Sequence, residues 1–447
     1  FYYFDLYTDF RRIVRGPDNC GVVSWQDGEK WQITVYEADF RTPETFKGKV
    51  FYQIFPDRFC EGVENKPMPF PDRLYQADKN PIFEAHSNHR YNTADYLNVD
   101  PLLGTNEDFE TLCKEAAKYG IGIVLDGVFS HTGSDSRYFN REGRYGEGGA
   151  YRDPNSPYRS WYDFDPKYKG GYRSWWGFET LPEVNEETPS FVEFITGKGG
   201  VIDTWLRRGA AGFRLDVADE LPDAFIEKIR AAVKRVSPEK FLLGEVWEDA
   251  TTKYGFGHRR TYLLGKGLDS VMNYPFKNAV LDFVKGKPAE QAAGEILSIC
   301  EHYPAPALNT ALNFLSTHDT ERALTVIADE PANGRGREWQ SGRNVSGEAY
   351  EEGMLRLRMA YAIIYTLPGL PCLYYGDEIG MQGYRDPFNR GYYCWDSHEE
   401  RLKPVLAQLA QLRHSCEAFR TGALRVLRAE GGVLHFQRVG ATETAEI

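Results

Sequence analysis

The chain has 447 residues, of which 42% are hydrophobic and 14% aromatic, and it carries a formal net charge of −12. This length exceeds what one compact core usually needs, so it predicts one large domain with smaller satellites. The acidic balance gives no electrostatic footprint for nucleic acid and favours a neutral or cationic ligand.

The cysteine pattern predicts reduced thiols, because 7 is an odd number and no C-x-x-C pair suggests zinc. Reduced thiols indicate a cytoplasmic protein, but secretion stays open because the chain starts at Phe1 without a methionine or signal-like segment. The most apolar run, residues 359–375, is broken by Pro368 and Pro371 and is too short to span a bilayer. It predicts a buried helix followed by a core strand, and no membrane segment.

Strand and helix patterns alternate along most of the chain. Residues 1–45 predict a small N-terminal β module, because residues 31–36 alternate in hydrophobicity. The seven predicted strands that follow are residues 50–55, 121–126, 212–217, 241–246, 268–272, 312–316 and 371–375. The helical stretches are residues 109–119, 221–236, 289–302 and 351–366. This α/β alternation predicts a TIM (β/α)8 barrel over residues 46–131 and 191–420, interrupted by an inserted loop domain at residues 132–190.

The strand count is one short of a closed barrel. Residues 60–80 have loop chemistry but no strand pattern, and a gap would leave two exposed strand edges. We therefore predict that a segment near residues 78–80, carrying the second strand and its preceding helix, is missing from the sequence.

Three acidic residues at the ends of predicted strands are candidate catalytic residues. Asp216 follows Arg214, whose charge favours an ionised carboxylate, so Asp216 is a candidate nucleophile. Glu245 lies in an apolar strand beside Trp247, where burial is expected to keep its proton, as a general acid requires. Two carboxyl groups with separated pKa values are typical of glycoside cleavage, and Asp319 is a third acid suited to binding sugar hydroxyls.

Each signal also has a structural explanation. Arg214 and Asp216 could form only a buried ion pair, and His318 with Asp319 only a hydrogen-bonded pair. Asp126 with His131 could cap a strand end. The aromatic residues of the insert form either its small core or platforms for sugar rings: Trp161, Tyr162, Tyr168, Tyr172, Trp175 and Trp176.

Four motifs occur in order along the chain: Asp126-Gly-Val-Phe-Ser-His131, Gly212-Phe-Arg-Leu-Asp216, Gly244-Glu-Val-Trp247 and Phe314-Leu-Ser-Thr-His-Asp319. They resemble the signature regions of the α-amylase family, glycoside hydrolase family 13. Leu181-Pro-Glu-Val-Asn185 is similar to an extra region of the neopullulanase and cyclomaltodextrinase group. Asn80-Pro-Ile-Phe-Glu-Ala85 and the run from Ser87 to Tyr96 are similar to that group's second strand-to-helix loop, and the family places a strand just before Asn80.

The resemblance implies the roles of individual residues. Asp216 would be the nucleophile, Glu245 the acid/base and Asp319 the transition-state stabiliser. The residues expected around the sugar are Tyr91, His131, Arg214 and His318, with Asp386 and Arg390 as outer contacts. Asp126 would be mainly structural. The resemblance also implies that the insert is domain B after the third strand, and that residues 421–447 are the start of a C-terminal β domain.

The expected activity is the cleavage, with retention of configuration, of α-1,4-glucosidic bonds in starch-derived glucans, maltooligosaccharides, pullulan or cyclodextrins. Cleavage of α-1,6 bonds is a second expectation that stays open. The alternatives are a transglycosylase on α-glucans and a non-catalytic glucan-binding protein. No cofactor is expected for the chemistry, and Ser130, where the family usually has Asn, weakens the expectation of a structural Ca²⁺ site, so metal binding stays open. Asp219 replaces an Asn common in the group, which leaves bond selectivity open. The resemblance also makes a homodimer an open possibility.

Overall fold

The computed structural model describes residues 1–7, 11–16, 19–60, 62 and 89–447. The strands are β1 (Phe4–Leu6), β2 (Arg11–Arg15), β3 (Gly21–Ser24), β4 (Phe51–Gln53), β5 (Val124–Gly127), β6 (Gly212–Leu215), β7 (Phe241–Gly244), β8 (Tyr254–Gly255), β9 (His258–Arg259), β10 (Ser270–Val271), β11 (Leu312–Phe314), β12 (Leu370–Tyr374), β13 (Ala423–Glu430), β14 (Val433–Val439) and β15 (Thr444–Glu446).

The helices are α1 (Pro56–Phe59), α2 (Asn106–Lys118), α3 (Pro189–Thr196), α4 (Val201–Arg207), α5 (Asp223–Val236), α6 (Tyr274–Val284), α7 (Ala289–His302), α8 (Ala305–Leu308), α9 (Ala323–Ala328), α10 (Arg337–Gln340), α11 (Gly347–Thr366), α12 (Leu402–Ser415) and α13 (Glu417–Thr421). The four predicted helical stretches correspond to α2, α5, α7 and α11, and are confirmed. No helix within the described ranges is both long enough and apolar enough to cross a membrane.

Within the described residues, seven parallel strands form the centre of the fold. β5, β6, β7 and β10 pair in that spatial order, as do β11, β12 and β4, and a parallel bridge between Met272 and Leu312 joins the two sets. These are the seven strands that the sequence predicts. The predicted missing segment lies outside the described residues, so closure by an eighth strand stays a prediction.

β6 and β7, in the middle of their sheet, are buried on both faces, which suits a parallel sheet covered by helices. Every residue of β6 and of β7 is buried. A side chain at Gly212 would place its Cβ 2.2 Å from the carbonyl oxygen of Phe241, so the close approach of these two strands requires glycine here. Outside them, α5 buries an apolar stripe against the strands: Phe225, Ile226, Ile229, Ala232 and Val233.

The inserted segment, residues 132–190, has short 3-10 turns and isolated bridges in place of a regular sheet. Trp161, Tyr162 and Tyr172 are buried and form part of its core. Trp176 is instead 76% exposed. The buried members support the explanation that the cluster is a small core, whereas a platform for sugar rings stays a prediction for Trp176.

The N-terminal module is a three-stranded antiparallel sheet, β1–β2–β3, that docks on α7 through Arg15 and Glu301 (Nε to Oε2, 3.1 Å). The alternating stretch at residues 31–36, from which the β module was predicted, is not itself a strand of this sheet, because it holds a single β-bridge at its first residue. Gln32 faces inward and donates to the hydroxyl of Thr251, whereas Ile33 is exposed. The alternation therefore reflects a segment lying across the protein with its polar side inward.

The C-terminal sheet, β13–β14–β15, is also antiparallel and contacts the end of α11. Two fully buried arginines bind the last carbonyl groups of that helix. Arg413 of α12 donates to the carbonyl oxygen of Tyr365, and Arg438 of β14 donates to that of Thr366, both over 2.7 Å. These bonds satisfy acceptors that a buried helix end would otherwise leave unpaired.

Candidate active site

The predicted acidic residues meet at one edge of the parallel strands. Asp126 lies in β5, and Asp216 and Glu245 directly follow β6 and β7. Asp319 lies in the loop after β11. Because all four strands run in one direction, these side chains share the carboxyl edge where barrel enzymes place their sites.

Arg214 is the cation at the centre of this group. Its Nη1 lies 2.7 Å from Asp126 Oδ2 and 3.0 Å from Asp216 Oδ1, and its Nη2 lies 2.8 Å from Glu245 Oε2. Burial alone would lower the pKa of Arg214, but the charges of Asp126 and Glu245 raise it well above its ordinary value. The predicted pair with Asp216 is confirmed, and the same guanidinium also joins two further carboxyl groups.

Asp216 is buried, and its electrostatics differ from the prediction made from Arg214 alone. Burial raises the pKa of Asp216 well above its ordinary value, and the charges of Asp126, Glu245 and Asp319 add to that rise against the opposing charge of Arg214. The direction of this pKa shift is opposite to the prediction that Arg214 keeps this carboxyl ionised. Burial is the main cause, and the single charge of Arg214 is shared among several carboxyl groups.

Glu245 is 4% exposed, and its carboxyl group accepts hydrogen bonds from the Val217 amide, the Trp247 indole and, at 3.5 Å, the Tyr274 hydroxyl. Its Oε2 accepts from the backbone amide of Val217 at 2.9 Å and lies beside Arg214, while Oε1 accepts from the indole of Trp247 at 2.9 Å. The Trp247 ring stacks on Tyr274 with 4.3 Å between centroids. The indole predicted beside Glu245 is thus present, but as a hydrogen-bond donor as well as an apolar wall.

Val217 adopts a left-handed conformation, with φ 39° and ψ 47°. A β-branched residue rarely adopts this region because its side chain crowds the backbone. The turn reverses the chain directly after Asp216 and directs the Val217 amide at Glu245. Nothing in the sequence motif indicates this strain.

His318, Asp319 and Tyr91 form a second group beside the first. His318 Nε2 lies 2.9 Å from Asp319 Oδ2 and 2.5 Å from Tyr91 Oη, and Tyr91 donates to Asp126 at 2.7 Å. Burial alone would raise the pKa of Asp319, but its interactions with His318 and Arg390 outweigh burial and lower that pKa below its ordinary value.

The loop at residues 386–390 supports this second group. Arg390 lies 3.3 Å from Asp319 and 3.1 Å from Asp386, and it donates to the carbonyl of His318. Asn389, fully buried, donates to the carbonyls of Thr317, His318 and Thr320 at 3.3, 2.7 and 2.8 Å. Sequence reasoning missed Asn389, although Asp386 and Arg390 on either side of it were both predicted as site residues.

His131 is buried at the base of the site. Its Nε2 lies 3.0 Å from the carbonyl oxygen of Tyr91, and its Nδ1 lies 2.9 Å from the hydroxyl of Ser130. Burial lowers the pKa of His131 to about 4, so the ring is neutral at neutral pH. The Ser130 oxygen is thus engaged with an imidazole, and no cluster of three His, Cys, Asp or Glu side chains suited to a metal occurs among the described residues.

The insert is joined to this edge through Glu220. The Glu220 carboxylate accepts from the indole N–H of Trp175 at 2.7 Å and from that of Trp176 at 2.9 Å. The neighbouring Asp219 pairs with Lys253 at 3.1 Å. These contacts place both tryptophans beside the turn that follows Asp216.

Several known proteins are similar to this chain. An amylopullulanase from Thermoanaerobacter thermohydrosulfuricus is 32% identical over 98% of this chain, which spans only 35% of that protein's length. Neopullulanase 2 from Thermoactinomyces vulgaris is 32% identical, with 88% of this chain and 67% of that protein covered. Among solved structures, a cyclic α-maltosyl-(1→6)-maltose hydrolase from Arthrobacter globiformis is 27% identical with a TM-score of 0.74, covering 90% of this chain and 91% of that one.

The family model described as alpha amylase, catalytic domain, matches residues 79–421. With the seven parallel strands, this match and the structural similarity imply a TIM barrel with additional domains. This chain belongs to the α-amylase family of glycoside hydrolases.

Proposed function

We propose that this chain is a retaining α-glucan hydrolase in which Asp216 is the nucleophile and Glu245 the general acid and base. The observation that carries the proposal is the bridging of both carboxyl groups by Arg214, at 3.0 Å to Asp216 and 2.8 Å to Glu245. This geometry supports two carboxyl groups acting on one glycosidic bond.

The proposed reaction has two displacement steps. In the first, an oxygen of Asp216 bonds to the anomeric carbon, the bond to the glycosidic oxygen breaks, and the Glu245 proton moves to that oxygen. In the second, water attacks the same carbon, gives its proton to Glu245 and releases Asp216 as a carboxylate. The scheme needs one proton on the pair of carboxyl groups, carried by Glu245 when the first step begins.

Asp319 is proposed to stabilise the distorted sugar. Its lowered pKa keeps the carboxylate ionised, which suits it to accept hydrogen bonds from sugar hydroxyls. Tyr91, His131, Arg214 and His318 would surround the same ring. Asp386 and Arg390 are proposed as outer contacts, although Arg390 is 4% exposed and acts mainly by holding Asp319 and Asp386.

The proposed substrates are α-1,4-linked glucans, including maltooligosaccharides and cyclodextrins, with α-1,6 bonds of pullulan as a second class. The names of the relatives support this range, which includes cyclomaltodextrinases as well as neopullulanase and amylopullulanase. A transglycosylase would use the same intermediate with a sugar in place of water. A non-catalytic glucan-binding protein is disfavoured, because it has no need of three acids around Arg214.

The proposed chemistry needs no cofactor, since carboxyl groups perform each proton transfer. Structural calcium and a homodimer remain separate predictions, testable by melting the protein with chelator or calcium and by sedimentation. A reducing compartment is proposed because Cys113, Cys300, Cys372, Cys394 and Cys416 carry free thiols.

Chromatography of products from maltoheptaose, pullulan and β-cyclodextrin tests the proposal, with Asp216→Asn as the inactive control. Proton NMR of the first product should show the α anomer before mutarotation. A first product in the β configuration would contradict the retaining mechanism, and binding without turnover would leave only the glucan-binding alternative. Transfer products at high maltotriose would identify a transglycosylase.

A further inference from the structure

Arg58 is a buried cation that the proposed chemistry does not use. It lies in α1 and is 4% exposed. Its Nε and Nη2 atoms are both buried, and neither has a hydrogen-bond partner among the described residues. The guanidinium carbon lies 5.3 Å from the centroid of the Tyr392 ring, which offers no oxygen acceptor at its face. A buried charge whose donors are not satisfied is unfavourable, so Arg58 calls for an acceptor from outside the chain.

Arg58 lines a cavity of about 230 Å³ beside the loop at residues 386–390. A cavity of this volume has room for several water molecules, and therefore for a small polyatomic ligand. Two further arginines line it, Arg343 and Arg390, and no aspartate or glutamate is among the described residues that do so. The ionic groups at this cavity are thus all positive, although the whole chain has a net charge of −12.

The three arginines differ in how far their charges are already neutralised. Arg343 is bound by two carboxylates outside the cavity lining, at 2.9 and 2.8 Å. Arg390 binds Asp319 through Nη2, whereas its buried Nη1, 3.1 Å from Asp386, has no partner with hydrogen-bond geometry in the described part of the chain. Arg58 is the least neutralised of the three. The lining residues thus contribute three buried nitrogens that lack acceptors, two on Arg58 and one on Arg390.

The chemistry of these donors indicates the class of ligand. A guanidinium presents a planar fork of N–H groups that matches two oxygens of one phosphate or carboxylate. A phosphate group has three strong acceptor oxygens and a charge of about −1.5 to −2 at neutral pH, so it can serve two arginines at once. Chloride has no second acceptor atom and would leave part of the fork unsatisfied. The side-chain amides of Gln340 and Asn344 add polar groups to the same lining.

We propose that this cavity is a binding site for a phosphate group, which Arg58 binds through its guanidinium fork with Arg390 beside it. The phosphate group belongs either to inorganic phosphate or to a phosphate ester of a sugar, since both present the same oxygens. The inference does not depend on glucan hydrolysis.

Calorimetry and thermal unfolding of the whole protein at neutral pH test the site, with inorganic phosphate, glucose 6-phosphate and chloride as separate probes. Phosphate should raise Tm with increasing concentration, because a ligand that binds the folded state stabilises it. Chloride at equal ionic strength should raise Tm far less. Tighter binding of inorganic phosphate than of glucose 6-phosphate would assign the cavity to the free ion, and the reverse order would assign it to a phosphate ester.

Arg58→Met removes the charge and keeps a long side chain. It should weaken phosphate binding about 10–100-fold, as expected for lost hydrogen bonds to a charged group. Its Tm without phosphate should be at least that of wild type, because an unsatisfied buried charge is gone. Arg58→Lys keeps the charge without the fork and should bind phosphate with intermediate affinity. Arg385→Met is the matched control, because its side chain is 80% exposed next to the same loop, and phosphate binding should stay within about 2-fold.

Failure of the wild-type protein to bind phosphate, or unchanged binding by Arg58→Met, would overturn the site. Equal Tm shifts with chloride and phosphate would also overturn it, since they would reflect general screening of charge. In the Asp216→Asn background, displacement of phosphate by maltoheptaose would assign the cavity to the glucan instead. If Arg58→Met does not fold, Arg58→Lys and the wild-type titrations decide. A protein that hydrolyses no glucan would refute the proposed function and leave these binding measurements intact.

Discussion

The backbone amide of Val217 donates to Oε2 of Glu245 over 2.9 Å, from a left-handed conformation with φ 39°. One residue thus connects the two carboxyl groups of the site, since it directly follows Asp216 in sequence and binds Glu245 in space. A strained residue at this place is consistent with a functional constraint on the backbone.

Val217→Gly and Val217→Pro form a matched test of that amide. Glycine adopts the left-handed region freely and keeps the N–H, so kcat/KM should stay within about 3-fold of wild type. Proline fixes φ near −65° and has no N–H, so we expect a loss of about 100-fold or more. Circular dichroism would verify that the proline variant folds. A folded, fully active proline variant would show that Glu245 does not depend on this hydrogen bond.

Asp216→Asn should stabilise the protein at neutral pH. The folded-state pKa of Asp216 is raised, so its favourable contribution to stability is present below the unfolded value near 3.9 and is lost as pH rises through the folded pKa. Asparagine resembles the neutral acid and avoids that loss. Thermal unfolding should give a higher Tm than wild type at pH 7 and a similar Tm near pH 3.

Asp319→Asn should instead destabilise the protein at neutral pH. The folded-state pKa of Asp319 is lowered, so its contribution is present above the unfolded value near 3.9 and is lost as pH falls through the folded pKa. The variant should have a lower Tm than wild type at pH 7, with the difference narrowing in acid. If both asparagine variants shifted Tm in the same direction at pH 7, the electrostatic assignment of one site would be wrong.

Glu245→Gln tests proton donation. A substrate whose leaving group would depart as a poor alkoxide needs the proton from Glu245. The kcat for maltoheptaose should therefore fall about 10²–10⁴-fold. The fluoride ion of α-maltosyl fluoride departs without protonation, so the first displacement step with this substrate should be slowed far less. Stopped-flow measurement of fluoride release separates that step from the slower hydrolysis. An equal loss in fluoride release would indicate damage to the site other than a missing acid.

Asn389→Asp should impair catalysis through the loop that carries His318 and Asp319. The change replaces an amide donor with an acceptor facing three carbonyl groups, so the loop is expected to move. A displacement of about 1 Å can cost about 100-fold in rate, and we expect kcat to fall by about 10–100-fold. Asn278→Asp, on the exposed side of α6, is the control and should keep wild-type kinetics.

The sequence predicted the seven described strands and the acids at their ends, because parallel strands buried on both faces have near-continuous apolar runs that stop at polar residues. Residues 31–36 misled because alternation occurs both in a half-buried strand and in an extended segment such as the one at Gln32, which bonds to Thr251. Alternation alone does not distinguish a sheet partner from any other surface.

The site was less predictable because its pKa values depend on groups far apart in sequence. Arg214 and Asp216 are neighbours, so their pairing was predictable, whereas the proximity of Asp126 and Glu245 to the same guanidinium arises from strand packing. The hydrogen bonds from Trp176 to Glu220 and from Asn389 to His318 likewise depend on how inserted and distant loops dock.

Arg413 and Arg438 couple the C-terminal elements to the barrel. Separating β14 or α12 from α11 would leave buried carbonyls of Tyr365 and Thr366 without donors, at a cost of about 1–3 kcal/mol each. Partial opening is therefore unfavourable, and we expect one cooperative unfolding unit that includes both. In native-state hydrogen exchange, the amides of β14 should exchange with the same free energy of opening as those of β12.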